Sequence, residues 1–253
     1  MEGRSMSVRS RKGPRFADEI TSKDFAELKK DKLLAILPVG SLEEHGEHLP
    51  LGTDAMQAEE IVRRIASRFE SIVLPPLRYG ECRTARGFPG TVSLSFETVQ
   101  SFSFDVISEL ARNGVFNVLV LTGHAGSGHM AALRLGAQRA VEQNQKLKVM
   151  VLSDYDIAYD LRGKEFSEND GHGGDIETSR ILNIRPKLVK RSRPKGSWDI
   201  PEFMVLPHPE KYIPAGIAGD TSKASPEKGK RIDDYVVDRL CKLISKNFGI
   251  GRV

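Results

Sequence analysis

The chain has 253 residues and a formal net charge of +4, and 39% of its residues are hydrophobic. This length and composition allow the chain to bury the core of one large globular domain. No stretch approaches the roughly 20 consecutive apolar residues of a membrane span, and two distant cysteines without a Cys-x-x-Cys motif exclude a disulfide framework and a zinc ribbon. We therefore expect a soluble protein of the cytoplasm.

The excess positive charge lies in the first 15 residues, which hold five basic side chains and one acidic side chain. The rest of the chain is neutral in sum. We expect residues 1–17 to form a disordered basic tail and residues 18–253 to form a single domain. Basic tails of this kind are more often solvated arms than nucleic-acid-binding segments, so we predict no nucleic-acid partner.

Apolar runs alternate with amphipathic segments along the domain. A short helix is predicted at residues 22–30. Continuous apolar runs, typical of strands buried on both faces, occur at residues 33–39, 71–75, 115–122 and 147–153. Apolar residues at helical spacing predict helices over residues 55–69, 96–113, 130–143 and 230–246, and a further helix contains Glu177. This alternation indicates an α/β fold with a mainly parallel sheet that is covered on both faces.

Three loops of this predicted fold have the composition of functional segments. Residues 76–91 are too rich in Gly and Pro for regular structure, and loops of this length in a compact domain are usually functional. Residues 43–54 and 123–128 contain histidines and directly follow two of the predicted strands. Because ligands of parallel sheets bind beyond the carboxyl ends of the strands, we expect these two histidine loops to converge.

Carboxylates and imidazoles are concentrated in the first histidine loop, Glu43-Glu-His-Gly-Glu-His-Leu-Pro-Leu-Gly-Thr-Asp54. In an extended segment Glu43 and His45 point the same way, and Glu44 is turned aside. Asp54 precedes a predicted helix, so it either faces back toward this pair or caps the helix. His124 adds a second imidazole at a strand end. This mixed set of donors suits Zn²⁺, Mn²⁺ or Fe²⁺ better than Ca²⁺.

A third segment with chemical side chains is His172-Gly-Gly-Asp-Ile-Glu-Thr-Ser179. The second histidine loop lacks the Gly-Lys-Ser/Thr ending of a P-loop, and Ser127 does not lie in a nucleophile elbow. Taken together, the segments resemble the creatininase (creatinine amidohydrolase) family. The runs that match it in order lie at residues 38–54, 87–91, 123–124, 172–179 and 219–229, within a region of similarity from about residue 33 to 245.

The resemblance implies a three-layer α/β/α sandwich and a site for two divalent metal ions, Zn, Mn or Fe. It also implies hydrolysis of an amide-type C–N bond in a small-molecule substrate, and a ring-shaped homo-oligomer such as a hexamer. In this chemistry a metal-activated water attacks the amide carbonyl, and His172 donates a proton to the departing nitrogen.

The family's functional positions transfer to this chain residue by residue. The matches to its metal ligands are Glu43, His45, Asp54 and His124. Creatinine-cleaving members have a further glutamate ligand two residues after the loop histidine, where this chain has Gly126. Glu177 is the natural substitute, as a ligand or as a partner of the ligands, and we group it with His172 as catalytic.

The substrate is less well defined than the chemistry. Creatinine is disfavoured, because the resemblance implies an aromatic wall near the metal loop, whereas Ala125 follows His124 and Trp198 is the only tryptophan. Alternatives within the family are a formamide deformylase acting on a ribosylaminopyrimidine phosphate in flavin and deazaflavin synthesis, a peptidase, and a sugar-ketone ring hydrolase. A rival of a different class is a non-catalytic ligand-binding module on the same fold, which the missing carboxylate at Gly126 favours.

Several residues near these motifs are predicted to contact the substrate. They are Arg83, Arg86, Ser127, Gly173 and Gly174. The arginines either bind a phosphate or carboxylate of the substrate or are solvated and paired with Glu81. Cys82, in the same long loop, either approaches the site or is a buried and inert thiol, and we expect the latter.

Overall fold

The computed structural model describes residues 13–253. Most of the expected basic tail, residues 1–12, lies outside the described residues. Its last part contacts the domain: Arg15 Nη1 donates to Glu70 Oε1 at 2.6 Å, and Phe16 forms a bridge with Val73. Residues 15 and 16 therefore pack on the domain and do not belong to a free tail.

The central sheet has four parallel strands in the order β2-β1-β3-β4. They are β1 (Leu34–Val39), β2 (Ser71–Val73), β3 (Asn117–Thr122) and β4 (Lys148–Ser153). Every residue of β1 and β3 is buried, because these two strands lie in the centre of the sheet with helices on both faces. The predicted α/β fold is confirmed. A separate antiparallel pair is formed by β5 (Lys195–Gly196) and β6 (Gly219–Asp220).

Seven α-helices connect and cover the strands in the described part of the chain. They are α1 (Ser22–Glu27), α2 (Thr53–Ala66), α3 (Phe96–Arg112), α4 (Ser127–Gln143), α5 (Tyr155–Ala158), α6 (Asp175–Ile184) and α7 (Pro226–Phe248). Three of them, α2, α4 and α7, begin earlier than the apolar spacing predicts, because their first residues are polar. In α7, for example, Ser225 accepts the Lys228 N–H as an N-cap and Pro226 occupies the first turn.

The helices form one layer on each face of the sheet. Alternate residues of β1 point to opposite faces: Leu34 and Ile36 pack in the cluster formed with α2, α6 and α7, and Ala35 and Leu37 pack in the cluster formed with α3 and α4. This is the three-layer α/β/α arrangement. None of the helices within residues 13–253 combines the length and the apolar character needed to cross a membrane.

The start of α2 lies against the ends of two central strands. A Cβ added at Gly123 would lie 2.1 Å from the Asp54 carbonyl oxygen, and one added at Gly40 would lie 2.4 Å from the Ala55 nitrogen. Only glycine allows approaches this close. The two glycines therefore bring Asp54 between the loop that follows β1 and the loop that follows β3.

Helix α6 is fixed to the rest of the domain by buried ion pairs. The Arg180 guanidinium donates to Asp154 at 2.6 Å and to Asp233 at 2.8 Å. Asp154 directly follows β4 and Asp233 lies on α7, so one side chain connects a strand end and two helices. We call Asp154, Arg180 and Asp233 the Arg180 cluster.

Candidate active site

Five buried side chains meet beyond the carboxyl ends of β1 and β3. The loop after β1 provides Glu43 and His45, the start of α2 provides Asp54, the loop after β3 provides His124, and α6 provides Glu177. His124 Nδ1 lies 2.9 Å from Glu43 Oε2, so the two histidine loops do converge. We call these five residues the site cluster.

Asp54 is the centre of the site cluster. Its Oδ1 lies 2.9 Å from His45 Nε2, and its Oδ2 lies 3.1 Å from His124 Nδ1. The Ser41 hydroxyl donates to Oδ2 at 2.5 Å. Gly52 occupies the N-cap of α2 without a side-chain cap, so the alternative in which Asp54 caps this helix is wrong. Each of the two Asp54 carboxylate oxygens instead faces a separate group of side chains that could bind a metal.

These two groups define two candidate metal positions. The first position consists of Glu43, Asp54 and His124, and the second position consists of His45, Asp54 and Glu177. Glu177 Oε2 lies 3.3 Å from His45 Nε2 and accepts the Gly173 N–H at 2.9 Å. The Glu177 carboxylate thus lies directly beside the possible metal-binding nitrogen of His45. The backbone N–H of Gly173, just before α6, fixes its position.

The orientation of both imidazoles fits metal ligation. His45 Nδ1 lies 3.0 Å from the Glu43 carbonyl oxygen, and His124 Nε2 lies 2.9 Å from the Glu81 carbonyl oxygen. A carbonyl oxygen only accepts, so these nitrogens bear the hydrogen. In the neutral rings the other nitrogens then direct lone pairs toward the carboxylates, which is the usual arrangement of metal-binding histidines.

The charges of the site cluster also fit a divalent cation. Burial opposes the ionisation of Asp54, but the imidazoles of His45 and His124 outweigh it and hold its pKa well below the ordinary value. Burial likewise opposes a charge on His45, yet Asp54 and Glu177 raise its pKa to about 10. Protons on the imidazoles thus balance the carboxylates in the absence of a cation, and divalent ions bound between the same donors would replace them.

Gly126 leaves no room for the glutamate ligand that the sequence resemblance implies at this position. A Cβ added there would lie 2.6 Å from His124 Nε2, the nitrogen that donates to Glu81. Any side chain at this position would displace the imidazole. Glu177 is therefore the carboxylate that joins Asp54 and His45 at the second position. A Glu43 oxygen also lies within 4.8 Å of a His45 nitrogen, in a group that includes His172.

A cavity of about 550 Å³ lies next to the site cluster. Glu43, Asp54, His124 and Glu177 reach its surface, and Phe96, Tyr159 and Trp198 line its walls. The expectation that this chain lacks an aromatic wall is therefore wrong. The aromatic side chains come from segments distant in sequence, and they include Trp198, the only tryptophan in the sequence.

His172 lies at the edge of the cavity beside the second position. Its ring centroid is 4.2 Å from that of His45 and 5.7 Å from that of Trp198. Nε2 lies 2.6 Å from the Glu44 carbonyl oxygen and so bears a hydrogen, which leaves Nδ1 to exchange protons. Burial and His45 lower the pKa of His172, but the hydrogen bond to Glu44 and the nearby carboxylates leave it raised.

The residues predicted to contact the substrate lie in different places. Arg83 and Ser127 line the cavity, and Arg83 also pairs with Glu81 at 3.4 Å. Arg86 is exposed and does not belong to the cavity lining. Gly173 and Gly174 lie behind the wall, where Gly173 donates to Glu177 and Gly174 is the N-cap of α6.

Two further residues at the cavity, Arg162 and Cys82, were not among the predicted site residues. The Arg162 guanidinium lies 3.2 Å from the Tyr159 ring centroid, and its Nε is buried without a hydrogen-bond partner among the described residues. No motif surrounds Arg162 in the sequence. Cys82 is buried as expected, but its sulfur lies within 4.8 Å of donor atoms of Glu43 and His124.

Comparison with known proteins gives a consistent result. The family model described as creatininase, creatinine amidohydrolase, matches residues 18–244. Creatinine amidohydrolase from Pseudomonas putida is 31% identical over an alignment of 257 positions, which covers 92% of this chain and 97% of that protein. Mycofactocin precursor peptide peptidase from Mycobacterium ulcerans is 28% identical over 228 residues, which cover 83% and 84% of the two chains.

The fold is shared with solved structures as well. The manganese form of creatininase superposes with a TM-score of 0.84 at 28% identity, over 93% of this chain and 99% of that one. The sequence resemblance is therefore confirmed by the family match and by the architecture. The chain belongs to the creatininase family.

Proposed function

We propose that this protein is a metal-dependent hydrolase that cleaves a non-peptide C–N bond in a small cyclic amide or formamide. The proposal depends on one observation: the two carboxylate oxygens of Asp54 face two separate groups of buried donors. Bridging carboxylates of this kind are typical of two-metal hydrolytic sites. The amidohydrolase among the relatives supports the reaction class.

Glu43, Asp54 and His124 would hold one ion, and His45, Asp54 and Glu177 would hold the other. Bound there, Zn, Mn or Fe supplies a Lewis acid for a carbonyl oxygen and lowers the pKa of a water. The manganese form of a structural relative supports a divalent metal at this place. The Glu81 and Glu43 carbonyl oxygens would keep His124 and His45 oriented as ligands.

His172 would provide the proton for the departing nitrogen. Its Nε2 hydrogen donates to the Glu44 carbonyl oxygen, so Nδ1 is the atom that gives the proton and later recovers it. In the metal-free site burial opposes a charge on His172, but the hydrogen bond to Glu44 and the nearby carboxylates raise its pKa. An imidazole is suited to acid catalysis near neutral pH. The neighbouring rings of His45 and Trp198 restrict the movement of the imidazole.

The cavity favours a small, flat substrate over an extended peptide. Its volume of about 550 Å³ lies within the range of small-molecule sites, and aromatic walls pack against planar groups. Arg162 supports a second candidate, the deformylation of a ribosylaminopyrimidine phosphate, because its unpartnered Nε suits a phosphate. The peptidase among the relatives makes peptide cleavage the third possibility.

The test begins with the metal content of protein purified without added metal. Turnover is then measured before and after chelation, and after return of Zn, Mn or Fe, on creatinine, other cyclic amides, formamides and short peptides. We expect metal to be present, activity on a non-peptide amide to vanish on chelation, and metal to restore it. Protein that neither holds nor takes up metal would support the ligand-binding module, and cleavage of peptides alone would support a peptidase.

The homo-oligomer implied by the resemblance remains a prediction. Phe203 and Val205 are 101% and 92% exposed, and large apolar side chains in this state favour burial against another chain. Light scattering of the purified protein would give the number of copies. Replacing Phe203 with Ser should weaken the assembly, and a monomeric wild-type protein would contradict the prediction.

A further inference from the structure

We propose that Cys82 is a fourth ligand of the first metal position, so that an ion held by Glu43, Asp54 and His124 also binds a thiolate. The inference rests on the proposed metal site and concerns a residue outside both sets of donors assigned above. Its basis is geometric. The sulfur, a Glu43 carboxylate oxygen and a His124 ring nitrogen all lie within 4.8 Å of one another.

These distances are close to those of ligands around one ion. Donor atoms about 2.0–2.3 Å from one tetrahedral zinc ion lie about 3.3–3.8 Å apart. The Glu43 and His124 donors are already 2.9 Å apart, and Asp54 Oδ2 lies 3.1 Å from the same nitrogen of His124. The Cys82 side chain would move toward these three donors when an ion binds, which would complete a mixed set of one nitrogen, two oxygen atoms and one sulfur.

The backbone holds Cys82 firmly at this place. Its N–H donates to the Ser93 hydroxyl at 2.8 Å, and the Gly80 carbonyl oxygen accepts the Leu94 N–H at 2.8 Å. Between them, the Glu81 carbonyl oxygen accepts the His124 Nε2 hydrogen at 2.9 Å. The segment that orients the His124 ring therefore also supplies the thiol, which is only 2% exposed.

A thiolate would make the two metal positions chemically different. The second position has three protein donors, His45, Asp54 and Glu177, and so retains an open coordination site for water or substrate. The first position would have four and would be closed. Sulfur also favours zinc and cobalt over manganese, so the first position should prefer these ions and release them more slowly.

The experiment uses the full-length protein loaded with Co²⁺. Wild type is compared with Cys82→Ser and with Cys241→Ser, a matched control, because Cys241 is also a free and buried cysteine but packs on α7 beside Arg68. We expect a sulfur-to-cobalt charge-transfer band in the near ultraviolet for wild type and Cys241→Ser. The band should be lost in Cys82→Ser. Bound cobalt is counted in the same samples by plasma mass spectrometry.

A second measurement does not depend on the folding of any variant. X-ray absorption of the zinc-loaded wild type should contain a sulfur shell at about 2.3 Å beside the shorter nitrogen and oxygen shell. Bound metal without a sulfur shell or charge-transfer band, or a band that survives in Cys82→Ser, would overturn the role of Cys82 and leave the proposed hydrolase intact. Failure to bind either metal would overturn both proposals.

Discussion

Two clusters of buried charge lie one helical turn apart on α6. Glu177 belongs to the site cluster, and Arg180 is the centre of the Arg180 cluster. In the latter, a guanidinium pairs with Asp154 and Asp233, so the side chains provide their own cation. In the site cluster three carboxylates pair only with histidines within residues 13–253. The two clusters are equally buried and differ in the source of positive charge.

The second difference is access. Glu43, Asp54 and Glu177 reach the cavity. The side chains of the Arg180 cluster are buried in the core and do not line the cavity. Buried charge alone is weak evidence for function, because ion pairs also occur as structural elements. A buried cluster that lacks a permanent cation and borders a cavity is the stronger indication of a ligand site.

The largest effect is expected from Asp54→Asn, which removes the carboxylate shared by both metal positions. Metal content should fall to near zero, and turnover should fall about a thousandfold or more, because the metal contributes several kcal/mol to transition-state stabilisation. Plasma mass spectrometry, a steady-state assay and a circular dichroism spectrum provide the measurements. Asp238→Asn, at an exposed ion pair with Arg68, is the control. Wild-type metal content in Asp54→Asn would contradict the bridging role.

The next variant, His172→Gln, tests whether His172 acts on the substrate as a proton donor or belongs to the metal ligands of the site cluster. Turnover should fall about 10²- to 10⁴-fold, the usual contribution of a general acid, with metal content unchanged. His208→Gln, at an exposed histidine, is the matched control. Loss of metal together with activity would assign His172 to the ligands instead, and unchanged turnover would remove it from the mechanism.

Arg180→Met makes the complementary change in the Arg180 cluster. It leaves Asp154 and Asp233 buried without their partner, so the free energy of unfolding should fall by about 3–5 kcal/mol. Urea denaturation measures the change. Arg63→Met breaks an exposed pair with Glu60 and should cost at most about 0.5 kcal/mol. An Arg180→Met protein of wild-type stability would show that the two clusters differ less than the structure indicates.

The smallest effect is expected at the cavity wall. Arg162→Gln should raise KM about ten- to a hundredfold for an amide that bears a phosphate or carboxylate, because one charge-assisted hydrogen bond is lost. A neutral amide of the same size should be unaffected. Arg162→Lys keeps the charge and should recover part of the affinity. Equal losses for charged and neutral substrates would indicate a structural role for Arg162.

The sequence predicts the sheet well, because central parallel strands are buried on both faces and their apolar runs are continuous. It predicts helix starts less well, since the first turns of α4 and α7 are polar and lack the periodic apolar residues. The local sequence alone does not determine the role of Asp54. Its sequence neighbours suit both a helix cap and a ligand, and the close approach of Gly123 decides between them.

The cavity wall is the least predictable part of the molecule. Arg162 and Trp198 lie in polar, irregular segments without a motif, and they reach the cavity only through packing between distant parts of the chain. Arg86 is the converse case, because its position in a functional loop does not determine the direction of its side chain. The proximity of Cys82 to His124 likewise depends on hydrogen bonds across some 40 residues of sequence.

The position of Glu177 and Arg180 on one helix has a consequence for directed evolution. A substitution that shifts α6 would disturb the metal donors and the ion pairs of the core together, so libraries that vary this helix should yield mostly inactive, poorly folded clones. Tyr159 and Arg162 lie together on the segment after α5, and Trp198 lies on a later loop, so all three are outside α6. Mutations that broaden the substrate range of the proposed hydrolase should therefore accumulate at these three positions.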